Sequence, residues 1–221
     1  MFKNLLHQFQ ALTAERATTF DPSRFDDPLA MHTDWHPLQR GGANFRTHKL
    51  VDLGYGRIEF QASTAAKLFY SVFLWVGLGM SIGISVTQLA TATQSFDADI
   101  IVPIVFGLFF STIGASLWYF GTMPIVFDKR TGFFWKGRNA PSRTHIQKNV
   151  KYCVPLASIH ALQIIVEHCK GNKSAYYSYE LNLILTNGQR VNVIDHGNLD
   201  KLREDARMLA LFLGKPVWDA T

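Results

Sequence analysis

Asp195 and His196 stand side by side at the end of the run Gln189 to Asp195, an arrangement in which a carboxylate orients a histidine for general-base work. No nucleophile accompanies them, and a helical pattern starts at Asn198, so a turn before a helix is the better reading. His32 and His36 have the i, i+4 spacing of a helical metal site, but Pro28 and Pro37 leave room for only about two turns, and no glutamate follows His32. His160, His168, Cys153 and Cys169 could be gathered by a fold, yet none has C-x-x-C spacing. No G-x-S-x-G, Walker A or dinucleotide fingerprint is present. Gly132 to Arg138 has the wrong residues for a phosphate loop, and Gly77-x-Gly79 lies in an apolar run. The expectation is therefore no catalytic residue, metal, cofactor or small-molecule substrate.

Three other groups have chemistry to offer. Lys129, Arg130, Lys136, Arg138 and Arg143, extended by Lys148 and Lys151, could attract anionic headgroups at about 1 kcal/mol per charge, or simply set membrane topology. Gly79 and Gly83 make a G-x-x-x-G, reinforced by Gly77, where small residues let helix backbones approach. Its expected partner is the second apolar segment, through Gly107, Ser111, Gly114 and Ala115, with a second copy as the alternative. Trp135, Tyr176 and Tyr177, within the clusters Phe133–Trp135 and Tyr176–Tyr179, offer a partner-binding surface, although alternation sends about half of such residues inward.

The elements that would position these groups begin with two apolar runs. No charge occurs in the 29 residues between Lys67 and Asp97, nor in the 28 between Asp99 and Asp128. An 18% charged composition would put roughly five in each. Residues 68–91 and 100–122 each exceed the roughly 20 apolar residues that cross a bilayer, with Tyr70, Trp118 and Tyr119 near the ends, where amphipathic rings favour the interface. Two transmembrane helices are expected. Neither holds an ionisable group suited to a proton relay or ion path.

Orientation follows from lysine and arginine. The connector Ala92 to Asp99 has none and carries two aspartates, whereas Lys49, Arg57 and Lys67 precede the first span and the basic group follows the second. Both termini are expected in the cytoplasm, where Cys153 and Cys169 stay free thiols. The net charge of +5 follows from this topology, and without a basic stripe interleaved with stacking aromatics no nucleic-acid partner is expected.

Around the spans the pattern is mostly β. Phe2, Leu5, Leu6, Phe9 and Leu12 predict a short amphipathic helix, and residues 21–42, with three prolines, an irregular connector. Phe45–Val51 with Arg57–Ser63, and Pro124–Asp128 with Phe133–Gly137, read as hairpins. Ser158–Cys169, Glu180–Thr186 and Gln189–Asp195 read as longer strands, the last two joined by Asn187-Gly188, a type I′ signal. Leu199, Leu202, Ala206, Leu209 and Leu213 line one face of a helix capped by Asn198 and ended by Gly214. The expected class is a membrane α+β protein, in which a two-helix transmembrane hairpin accompanies a small antiparallel β-roll closed by one C-terminal amphipathic helix. The expected division is residues 1–66, an N-terminal cytoplasmic segment; 67–122, the spans; and 123–221, the cytoplasmic domain.

The order of a hairpin over a KRTG turn, LASIHALQIIVEH, ELNLILTNGQRVNVIDH and one closing helix resembles the pleckstrin-homology-like domains that bacteria attach to paired transmembrane helices. The whole chain resembles two-span proteobacterial inner-membrane proteins of uncharacterised activity. The resemblance implies a bacterial inner-membrane location and a domain that binds rather than reacts. Membrane lipids, a second copy or another membrane protein are its expected partners, in a non-enzymatic adaptor or scaffold. The alternatives from other classes are an immunity protein against a membrane-active toxin and a membrane-associated enzyme using His196.

Overall fold

The computed structural model describes residues 20–39, 41–91, 98–141, 153–170 and 175–221. The amphipathic pattern at residues 2–12, most of the connector between the apolar runs, Arg143, Lys148, Lys151 and residues 172–174 lie outside them.

Two sheets enclose one core. Strands β1 (His48–Gly54), β2 (Arg57–Ala62), β3 (Ile125–Asp128), β4 (Phe133–Lys136) and β5 (Cys153–Pro155) form the first, in that order and antiparallel throughout. The second has the order β8 (Arg190–His196), β7 (Ala175–Leu185), β6 (Ile159–Lys170) and β9 (Val217–Asp219), with only the β6–β9 pair parallel. Phe60, Phe127 and Phe134 from the first sheet meet Ile164, Leu181 and Val193 from the second, and Leu202, Ala206 and Leu209 of helix α4 (Leu199–Leu213) complete the core. The α4 boundaries obey their caps, since Asn198 Oδ1 accepts from Lys201 N and Gly214 adopts the left-handed conformation at φ 67°.

The long helices α2 (Thr64–Thr91) and α3 (Ala98–Gly121) leave and re-enter this domain between β2 and β3, which pair with each other through Phe60 and Ile125. The division expected at residues 66 and 123 thus separates stretches of chain and not cores, because β1 and β2 share a sheet with β3 to β5. No linker precedes α2. Ser63 bonds through its N–H to Thr47 O, and its Oγ accepts from Ala66 N as the helix cap. The apolar windows Thr64–Thr87 and Ile101–Gly121 are long enough to cross a membrane, and only 11% and 17% of them is buried. A core helix of a water-soluble domain would be mostly covered; these leave Leu68, Trp75, Val102 and Phe109 bare.

The hairpin turns differ from expectation. At Asn187-Gly188 only Gly188 has positive φ, and Leu185 pairs with Gln189 across a three-residue loop. Both central residues are positive at Tyr55-Gly56, so the I′ signature falls there, between β1 and β2.

In the stretch 21–42, expected to be irregular, the described residues 21–39 and 41–42 form a strap over the outer face of the second sheet. A 3₁₀ turn (Pro22–Phe25) and helix α1 (Pro28–His32) pack Phe25, Leu29 and Trp35 against Ala161, Ile184 and Trp218. Buried Glu180 then accepts from Leu38 N (2.7 Å) and Gln39 N (2.9 Å), and Glu167 from Gly41 N and Gly42 N. Gly42 is needed because a Cβ there would run into Ser178.

Candidate functional site

A cavity of about 420 Å³ opens where the long helices meet the first sheet. Glu59 and Gln61 face it from β2, Lys67 from the first turn of α2, Trp118 from the last turns of α3, Thr122 from just beyond them, and Arg138 from the chain after β4. These residues converge because β2 runs into α2 and α3 into β3, so strand and helix ends are neighbours. Arg138 is fixed in place. Its Nη2 donates to Tyr119 O (3.0 Å) and Thr122 Oγ1 (2.9 Å), and its guanidinium lies 4.5 Å from the Tyr119 ring centre. Glu59 is buried and already neutralised by Arg57 Nη2 at 3.0 Å, while Gln61 Nε2 donates to its other oxygen at 2.6 Å. Lys67 is exposed and forms no ion pair among the described residues. Two cations therefore face the cavity beside a carboxylate whose charge is matched.

The basic residues expected to act together are spread out. Lys129 and Arg130 sit on the β3–β4 turn, about 13 Å of strand away from the helix ends, and Lys129 Nζ lies over the Phe212 ring. Lys136, paired with Ile125, reaches across to the second sheet and donates to Asn192 Oδ1 at 3.2 Å. Among the described members of this group, only Arg138 lines the cavity.

The glycines also sort differently. Gly77 faces Gly107 and Ser111, and Gly114 faces Phe73 and Leu74, so close that Cβ atoms would collide with backbone. Around Gly79 and Gly83 a Cβ would meet nothing within 4 Å. The hairpin seam is Gly77-x-x-x-Ser81 against Gly107-x-x-x-Ser111, with Ser81 Oγ donating to Ile104 O. The expected G-x-x-x-G lies elsewhere because two residues turn a helix by about 200°.

Of the aromatic surface, Trp135 is buried (3% exposed), packed with Val126 and Cys153 and covered by Arg57. Its neighbour Phe134 already takes the core side, and the other face of β4 is covered as well. Tyr176 is half-buried and donates to Gly42 O under the strap, whereas Tyr177 is 56% exposed and stacks on His168.

Asp195 and His196 form no dyad. Adjacent on β8, they are committed to different partners. Asp195 accepts from Asn192 Nδ2 (2.8 Å), and His196 Nδ1 accepts from Asn198 N. Burial, then the Glu180 carboxylate paired directly opposite, raises Asp195 to about 6. Burial, then Arg46 and His48, lowers His196 to about 4, and burial with nearby Lys136 does the same for His48. The neutral imidazole of His196 carries its proton on Nε2, which is buried without a partner among the described residues. His36, beyond the end of α1, pairs with Asp34 rather than His32.

The cavity is not legible as a cluster of cations, because its members come from three separated segments, Glu59–Lys67, Trp118–Pro124 and Arg138. The available signal was local: a lysine on the last residue before one span and a tryptophan near the end of the other. No protein family, no curated protein and no solved structure matches this chain.

Proposed function

We propose that this chain is a non-enzymatic membrane adaptor, whose two-sheet domain is held against the cytoplasmic face of a bacterial inner membrane to engage lipid and protein there. The observation that carries this reading is the bare apolar surface of two helices inserted into the first sheet without a linker at the α2 end. In water that surface is costly; in a bilayer it is the matching solvent, and helices satisfy their own amides. The lysine and arginine asymmetry around the spans supports cytoplasmic termini.

The strand order with one closing helix is compatible with a pleckstrin-homology-like barrel that accepts the hairpin in its first sheet. Such a domain binds without reacting, and a second copy or another membrane protein is its proposed partner. Attachment at both β2 and β3 restricts the domain to one height and few orientations above the bilayer, which suits a scaffold. The test is fractionation followed by crosslinking in cells. The chain should resist carbonate extraction, a carboxy-terminal reporter should be active only inside, and crosslinking should capture a second copy or a membrane protein. Release by carbonate, or an external reporter, would refute the membrane reading; only monomer after crosslinking would refute the scaffold.

A further inference from the structure

The geometry points to the junction cavity as a binding site for the phosphodiester of an anionic phospholipid, an inference that rests on the membrane reading above. Its volume of about 420 Å³ falls within the range of small-ligand sites. Lys67 is the last charged residue before the apolar run of α2, and Trp118 lies in the last turns of α3, so the cavity stands at headgroup depth when the helices span. Lys67 and Arg138 both line it, from the first turn of α2 and from the chain after β4. With Glu59 neutralised by Arg57, the pair leaves positive charge suited to one phosphodiester.

Arg138 is preorganised for this task. One nitrogen is tied to Tyr119 O and Thr122 Oγ1, while Nε and Nη1 make no hydrogen bond to a described residue and remain as donors. The Tyr119 ring beneath that guanidinium also lines a second, largely apolar groove of about 530 Å³ that continues past Leu74 and Leu78 to Leu108. The headgroup site and a groove for an acyl chain therefore adjoin at the Arg138–Tyr119 contact. Free phosphate would use only the first; a phospholipid uses both.

The experiment uses the full chain in mild detergent, titrated with dioctanoyl phosphatidylglycerol, dioctanoyl phosphatidylcholine or inorganic phosphate, with binding read by native mass spectrometry and thermal shift. Phosphatidylglycerol should bind at least fivefold more tightly than phosphatidylcholine, and inorganic phosphate should give no shift. Lys67→Gln, which removes a side chain with no ion-pair partner among the described residues, should weaken phosphatidylglycerol about fivefold, as should Arg138→Gln. Lys129→Gln with Arg130→Gln, on the far turn, should leave it unchanged. Equal binding of the two lipids, or an unaffected Lys67→Gln, would overturn the site, and equal protection by inorganic phosphate would overturn its assignment to lipid. Wild-type protein that needs detergent for extraction yet shows no preference refutes the cavity alone; protein freed by carbonate refutes the membrane reading beneath it.

Discussion

Gly77→Ala and Gly79→Ala are the same chemical change two residues apart, and the structure gives them opposite consequences. A Cβ at Gly77 would lie 2.5 Å from both Gly107 O and Ser111 N, against an ordinary contact of at least 3.4 Å. The helices must therefore separate by about 0.9 Å along that line, the difference of those two distances. Overpacking of this size costs about 1–3 kcal/mol. Ser81 would also draw away from Ile104 O, at about 0.6 kcal/mol for an average interhelical bond in a membrane. Gly107→Ala should cost a similar amount, and the double variant less than the sum, because one separation relieves both clashes. At Gly79 and Gly83 a methyl group meets nothing within 4 Å, so each change should be neutral within about 0.5 kcal/mol. The assay is equilibrium unfolding of the purified chain from dodecylmaltoside into SDS, followed by tryptophan fluorescence, since Trp75 and Trp118 lie on the two helices. If Gly79→Ala loses as much as Gly77→Ala, the seam is misassigned.

Asp195→Asn should stabilise the domain at pH 7.5 by about 1–2 kcal/mol. The native value near 6 lies above the ordinary 3.8, so the group's contribution is full below pH 3.8 and is lost as pH rises through 6; the gain should vanish by pH 4 in denaturant melts. His48 and His196, lowered to about 4, contribute above pH 6.5 and lose that contribution as pH falls through 4, so His196→Asn should flatten the acid limb of the same profile. Glu180→Ala removes four hydrogen bonds, two of them to the strap, and should speed amide exchange at Leu38 and Gln39 at least tenfold while leaving α4 protected. Arg46→Leu strands the buried carboxylate of Asp205 on α4 and should cost about 3–5 kcal/mol in urea melts, with a smaller loss after Asp205→Asn is added.

Much of the architecture was legible because short-range physics dictated it. The absence of charge over 68–96 and 100–127 marks the long helices at once, and the periodicity from Leu199 to Leu213 with its caps gives α4 almost to the residue. Strands β2, β3, β4, β6 and β8 fall close to their expected limits. The short β5 and β9 are not legible in the sequence, since three residues carry no period and pair only because a neighbouring edge is present. The strap is not legible in the sequence for a related reason. Its order comes from Glu167, Glu180, His160 and Trp218, all more than a hundred residues away, and nothing local to residues 21–42 reports them.

What the residue order determined alone is the longer strands, the closing helix and the two apolar segments, because helical period, capping and the lack of charge act within one or two turns of chain. Tertiary structure decided which surfaces meet. It set Gly77 rather than Gly79 at the seam, buried Trp135, sent Lys136 across to Asn192, and brought Lys67 and Arg138 to one cavity. Those outcomes depend on how two helices rotate about their axes and how two sheets close. Contacts summed over the whole fold set both, and spacing along the chain does not encode them.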